Sequence, residues 1–326
     1  MSKNPDLAAL FGATDATTFL GLSACTEYKT MSASSAFIGA PGSTPYGSVG
    51  SYCRNAPEAL RKSIASLTAN IHRYNFDLGG PTFPDGTLPA VDCGDLPLND
   101  SDFALNRATI RSCISQIVSS GVIPILIGGD DSVPIPMLDA MADTGKKYTI
   151  LQIDAHIDWR ESHMDESLGL SSTMRRASEM AHINRIIQVG ARGIGSAHPE
   201  DVQDAIDWGV KFVTAYDVHV HGVQAALTLL EPDSNIIVCL DVDAFDPSIV
   251  PGVIGRTPGG LTYFQMLELI KGASSTGRIA AIDFVEYLPE ADVEDLGGLN
   301  VSRLIASTMG VLARQQAGTS KDPVSS

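Results

Sequence analysis

Asp154, His156 and Asp158 stand at alternate positions of the stretch DAHID, directly after the apolar run 148–153. Asp241 and Asp243 follow a second apolar run, 236–240, and a third run, 122–127, opens onto Gly128, Gly129, Asp130, Asp131 and Ser132. Side chains alternate across an extended chain, so each stretch would present its carboxylates on one side, with one imidazole among them. So many carboxylates at strand ends repel one another unless a cation holds them. Two divalent metals about 3.5–4 Å apart, bridged by shared aspartates, would neutralise the set and make water acidic near neutral pH, which is the chemistry of metal-assisted hydrolysis. A lone D-x-D at a strand end more often caps a helix or shapes a loop. Three such clusters in one chain favour the metal.

The elements that must position these residues are legible as eight short apolar runs, at 35–39, 90–93, 123–127, 148–153, 186–189, 211–214, 236–240 and 279–285. Helical patterns lie between them at 56–71, 103–119, 134–143, 172–180, 200–208 and 262–273, with a last one at 301–315. This alternation predicts an α/β domain with a parallel sheet covered on both faces, whose ligands bind at the carboxyl ends of the strands. Thr262 with Gln265 three residues on reads as a capping box. Residues 1–326 read as a single domain, with roughly the first 30 as an N-terminal extension and 316–326, rich in Gly, Ser, Lys and Asp, as a mobile tail. The loop 39–55, GAPGSTPYGSVGSYCRN, either shapes a pocket or simply turns the chain.

A formal net charge of −16 argues against nucleic-acid and anionic-membrane partners and favours a small cationic substrate, although an acidic surface also serves solubility alone. The five cysteines form no C-x-x-C pair and read as reduced thiols. With neither a basic-then-apolar leader pattern nor a run of ~18 apolar residues, the expected location is cytoplasmic.

From Phe37-Ile38-Gly39-Ala40-Pro41 through IGGDDS, DAHID, Val189-Gly190-Ala191-Arg192, LDVDAFDP, PGGLT and Val285-Glu286-Tyr287-Leu288-Pro289, the chain resembles the ureohydrolase (arginase/agmatinase) family, on its agmatinase-like branch. The resemblance implies a three-layer α/β/α fold around the central eight-stranded parallel sheet. It also implies a binuclear manganese site and hydrolysis of a guanidino group to urea and an amine. Carried over by position, Asp154, His156, Asp158, Asp241 and Asp243 match metal ligands. Asp154 and Asp241 would bridge the ions, with Asp158 on one and His156 and Asp243 on the other. Glu286 matches the carboxylate that pairs with the substrate guanidinium, a charge-assisted and potentially bidentate contact. Trimers or hexamers of the chain are the implied assembly.

Two positions depart from the family pattern. Where most ureohydrolases read GGDHS with a ligating His, this chain has Asp131; as a ligand it would give five aspartates and one imidazole, an oxygen-rich site that suits Mn(II), with Ni(II) the alternative by resemblance. Seventeen residues beyond Asp154, where arginases carry a proton-shuttling His, stands Ser171, which cannot titrate near neutrality. His163, nine residues beyond Asp154, is the candidate replacement, a solvated loop histidine being its other reading. The catalytic candidates are therefore Glu286, His163 and Asp158. Trp159, Arg160, Arg175 and Arg176 are candidates for reading the substrate tail, or else packed and surface residues. His182, His198, His219 and His221 read as surface or core residues, and Asp246 as a turn-fixing one.

The expected function is hydrolysis of a guanidino compound, with agmatine, a guanidino acid, guanidine or a biguanide as the candidate classes. The alternative is a degenerate, non-catalytic subunit supporting an active paralogue in a hetero-oligomer.

Overall fold

The computed structural model describes residues 17–195 and 197–318. In chain order the strands are β1 (Ser23–Ala24), β2 (Ser35–Ala40), β3 (Tyr74–Asn75), β4 (Gly80–Pro81), β5 (Val91–Asp95), β6 (Ile123–Gly128), β7 (Tyr148–Ile153), β8 (Ile183–Val189), β9 (Lys211–Val213), β10 (Asn235–Asp241) and β11 (Arg278–Val285). Nine of them form one sheet in the order β1-β5-β2-β6-β11-β10-β7-β8-β9, and β3 and β4 pair separately. Every pairing in the large sheet is parallel. All eight expected strands are present; the ninth, β1, is a two-residue edge strand too short to leave a sequence pattern.

The α-helices are α1 (Ala56–Ile64), α2 (Phe103–Ser119), α3 (Pro134–Ala140), α4 (Thr173–Ser178), α5 (Pro199–Trp208), α6 (Ala215–His221), α7 (Gln224–Leu227), α8 (Tyr263–Thr276) and α9 (Leu296–Gln316). They cover both faces because the strands bury both. On β6, Ile125 and Ile127 join one core with α1, α8 and α9, while Leu126 between them joins the other with α2, α3 and α4. The helix expected over 56–71 tightens into a 3-10 segment at Ala65–Asn70, a stretch whose Ser, Thr and Asn are weak helix formers. The helix expected over 134–143 likewise ends in 3-10 turns closed by left-handed Gly145.

Helix α9 is long and apolar, with a mean hydropathy of 1.2, but 78 % of that stretch is buried, packed on α1 and α8. Of the N-terminal extension, Thr17–Thr30 is described and packs on the sheet edge: the Phe19 N–H donates to Asp92 and its ring stacks on Phe37. The tail beyond Gly318 lies outside the described residues, as do residues 1–16.

Candidate metal centre

Four neighbouring strands at the middle of the sheet, β6, β11, β10 and β7, end side by side. Their registers align Phe284 with Ile127, Asp241 with Val285, and Leu240 with Ile153. The residues that follow are therefore neighbours in space: Asp131 after β6, Glu286 after β11, Asp241 and Asp243 at the end of β10, and Asp154, His156 and Asp158 after β7.

Two sets of donor atoms converge there, each lying within 4.8 Å of one another: Asp131, Asp154 and Asp158 in one, Asp154, His156 and Asp243 in the other. Asp154 belongs to both. Asp241 belongs to neither; its carboxylate accepts the Asp243 N–H at 2.7 Å and so shapes the loop that carries Asp243. The expectation that DAHID stays extended does not hold. The chain bends at Ala155 and His156, and Asp158 takes a left-handed conformation with φ 43°. The bend is what divides the three side chains between two sets, and the left-handed turn is a local strain that non-glycine residues adopt where function or packing demands it.

Buried amides and backbone groups fix the carboxylates. Gln152 donates to Asp154 at 2.8 Å and to Asp158 at 2.9 Å, and is itself held by Gln188. The His156 N–H donates to Asp154 at 2.6 Å and the Ala155 N–H to Asp243 at 3.1 Å. The His156 ring nitrogen Nδ1 lies 3.0 Å from Asp243 and 3.5 Å from Asp154. Arg192 clamps the carbonyls of Asp243, Phe245 and Thr257, tying the β8 and β10 loops together. Thr173, at the start of α4, donates to the Asp131 carbonyl.

The electrostatics are those of crowded, buried carboxylates around one imidazole. Burial, with the neighbouring carboxylates adding to it, pushes Asp131, Asp158 and Asp241 well above the usual carboxylate range. Burial also raises Asp243. Asp154 is pushed up by burial but held lower overall by hydrogen bonds from His156 and Asp158 and by the His156 charge. The same contacts with Asp154 and Asp243 raise His156 to about 12. The outer oxygens of Asp130, Asp131 and Asp283 are buried without a hydrogen-bond partner among the described residues. The unpartnered buried oxygen of Asp131 and the convergence of carboxylates with the His156 imidazole suit hard divalent cations.

Glu286 stands at the edge of this cluster. Its backbone is left-handed, φ 69°, with its N–H bonded to the Gly129 carbonyl at 2.9 Å. One carboxylate oxygen accepts the Asp131 N–H at 2.9 Å, and the Tyr52 hydroxyl donates to both oxygens, at 2.6 and 2.7 Å. Burial, then the charge of Asp130, pushes Glu286 up to about 8.

Other candidates are placed elsewhere. His163 lies outside both donor sets: its ring packs edge-on against Tyr46, 4.9 Å between centroids, and Nδ1 is 3.0 Å from Arg160. Tyr46 in turn bonds the Ser171 hydroxyl at 2.6 Å. Trp159 is not on the rim; it is buried, stacks edge-on with Trp208 and donates to Asp204. Arg175 and Arg176 are engaged with Glu161 and Glu179 and, for Arg175, Asp204, so they form a surface ion network. Asp246 accepts from Ser248, Gly259 and Gly260 and so fixes its loop. His219 bonds the Gly260 carbonyl. Reading the sequence missed Tyr52, Gln152, Gln188 and Thr173. The signal on offer was the polar interruption of an apolar strand, Gln152 within YTILQI and Gln188 within INRIIQV.

The family model described as "Arginase family" matches residues 33–310. The chain belongs to the arginase family. Among arginase-family relatives it is 27% identical over 282 residues to the mitochondrial agmatinase of Gallus gallus, covering 85% of this chain and 80% of that one. It is 26% identical over 282 residues to the guanidinobutyrase of Pseudomonas aeruginosa, covering 85% and 86%. The fold matches the solved proclavaminate amidino hydrolase from Streptomyces clavuligerus with a TM-score of 0.78 at 24% identity, over 93% of this chain and 99% of that one. The expected ureohydrolase membership and α/β fold are therefore correct.

Proposed function

We propose that this chain is a binuclear metal-dependent hydrolase that cleaves a C–N bond of a guanidino compound, releasing an amine and urea or a related product. The observation that carries this reading is the pair of donor sets joined through Asp154 at the mouth of the sheet. Relatives named agmatinase and guanidinobutyrase support the substrate class.

Asp131, Asp154 and Asp158 would hold one ion and Asp154, His156 and Asp243 the other, with Asp241 buttressing the second set; Mn(II) is the proposed metal and Ni(II) the alternative. Two such ions supply the Lewis acidity that polarises the guanidinium and makes water nucleophilic near neutral pH. The chain's own residues do the rest. Gln152 and Gln188 hold the carboxylates in place, and Glu286 receives the cationic end of the substrate. His163, one ring contact from the Tyr46–Ser171 pair, is the proposed carrier of the proton to the departing amine. The small cationic substrate and an assembly of identical subunits are part of the same reading. A non-catalytic subunit is disfavoured because two donor sets converge at the strand ends with Glu286 beside them.

The test is elemental analysis of protein purified alone, then urea release from a guanidino panel after Mn(II) or Ni(II) loading. About two ions per chain with urea release is expected; protein that binds no metal and releases no urea with any substrate would sink the reading. Within it, His163→Ala should lower kcat by roughly 10²–10⁴-fold and shift its pH profile, with metal content unchanged.

A further inference from the structure

The Tyr52 hydroxyl lies at nearly equal distances, 2.6 and 2.7 Å, from the two oxygens of Glu286. Hydrogen-bond contact at equal distance from both oxygens of one carboxylate puts the hydroxyl on the bisector, in front of the open edge. That edge is where a planar guanidinium makes its two parallel N–H contacts. One oxygen is further occupied by the Asp131 N–H. Glu286 thus has its two-point face closed by a neutral donor from its own chain.

We propose that Tyr52 is a gate on Glu286, whose hydroxyl must leave the carboxylate before a guanidinium can pair with it at two points. This inference rests on the reading that Glu286 receives the substrate guanidinium. The local chain is built for such a movement. Tyr52 is only half-buried and lies on the loop between β2 and α1, whose tip at residues 47–49 is exposed. A Cβ at Gly47 or at left-handed Gly50 would meet only open space, so the tip is not wedged against the body. The loop is pinned on either side, by Tyr46 on Ser171 and by buried Cys53, which confines motion to the segment carrying the hydroxyl. The sequence reading left open whether this loop shapes a pocket or merely turns the chain; the Tyr52 contact gives it a role at the site.

A gate costs affinity, because each guanidinium must break the Tyr52–Glu286 bond before making its own. Tyr52→Phe keeps the ring and removes the hydroxyl. The experiment is a calorimetric titration of the Mn(II)-loaded protein with guanidinium chloride, below denaturing concentrations, in the wild type, Tyr52→Phe, Glu286→Gln and the double variant. Guanidinium should bind Tyr52→Phe about tenfold more tightly than wild type, the scale of one hydrogen bond to a charged group, and Glu286→Gln should weaken binding in both backgrounds. A Tyr52 that merely props the site open would give weaker binding on losing its hydroxyl, so an unchanged or raised dissociation constant in Tyr52→Phe, with Glu286→Gln still weakening it, overturns the gate alone. Binding indifferent to Glu286→Gln overturns the reading of Glu286, and the gate with it.

Discussion

Asp154 stands in both donor sets, while Asp243 stands in only one. Substitutions at the two should therefore differ in kind. Asp154→Asn should reduce bound metal well below one ion per chain, and Asp243→Asn should leave about one, with activity down at least ~10³-fold in both; elemental analysis and urea release on the same samples decide it. Equal metal content in the two variants would remove Asp154 from its shared position. That DAHID sets candidate ligands at a strand end was legible from residue types at alternate positions. How its side chains part between two sets was implied by the family resemblance alone; the bend and the left-handed turn at Asp158 that part them are not encoded by the letters.

At the level of elements, the site is a meeting of loops, and Gly129 is where they touch. Its N–H bonds the Ala40 carbonyl at the end of β2 and its carbonyl accepts the Glu286 N–H after β11. A Cβ there would lie 2.8 Å from the Pro41 carbonyl oxygen and 2.9 Å from Gly42, both backbone atoms that cannot swing aside. Gly129→Ala should cost about 1–3 kcal/mol and push Asp131 out of place, lowering both the melting temperature and the metal content. A variant with native stability and full metal would show that the loops are looser than this packing implies. Most helices were legible from periodicity, and the Thr262–Gln265 capping box is present as expected. Helices α6 and α7 were missed, although Thr214 and Asp217 form a capping box of the same kind at the start of α6.

For the whole molecule, the cluster of buried carboxylates couples stability to pH and to metal. In the metal-free fold burial raises Asp283 to about 7 and Glu286 to about 8, above their values of ~4 in an unfolded chain. Groups with raised folded pKa values contribute full stability below pH ~4 and lose it as pH rises through 7 and 8. His156, raised to about 12, acts in the same direction above pH ~6.5. The melting temperature of metal-free protein should therefore fall between pH 5 and 8. Divalent metal should flatten that fall and add about 4 kcal/mol at a thousand times its dissociation constant. A metal-free melting temperature that stays level or rises over this range would show that the carboxylates are charged without cost.

The sequence by itself determined the alternation of strands and helices, the family, and which side chains stand at strand ends, because these follow from local periodicity and residue type. Only the tertiary structure decided that β11 and β10 insert between β6 and β7, bringing residues as distant as Asp131 and Glu286 into hydrogen-bond contact. It also decided that Tyr52, in a loop whose role the sequence left open, donates to both oxygens of Glu286. Strand order and loop contact depend on how apolar faces pack across the whole chain, which no local window of the sequence contains.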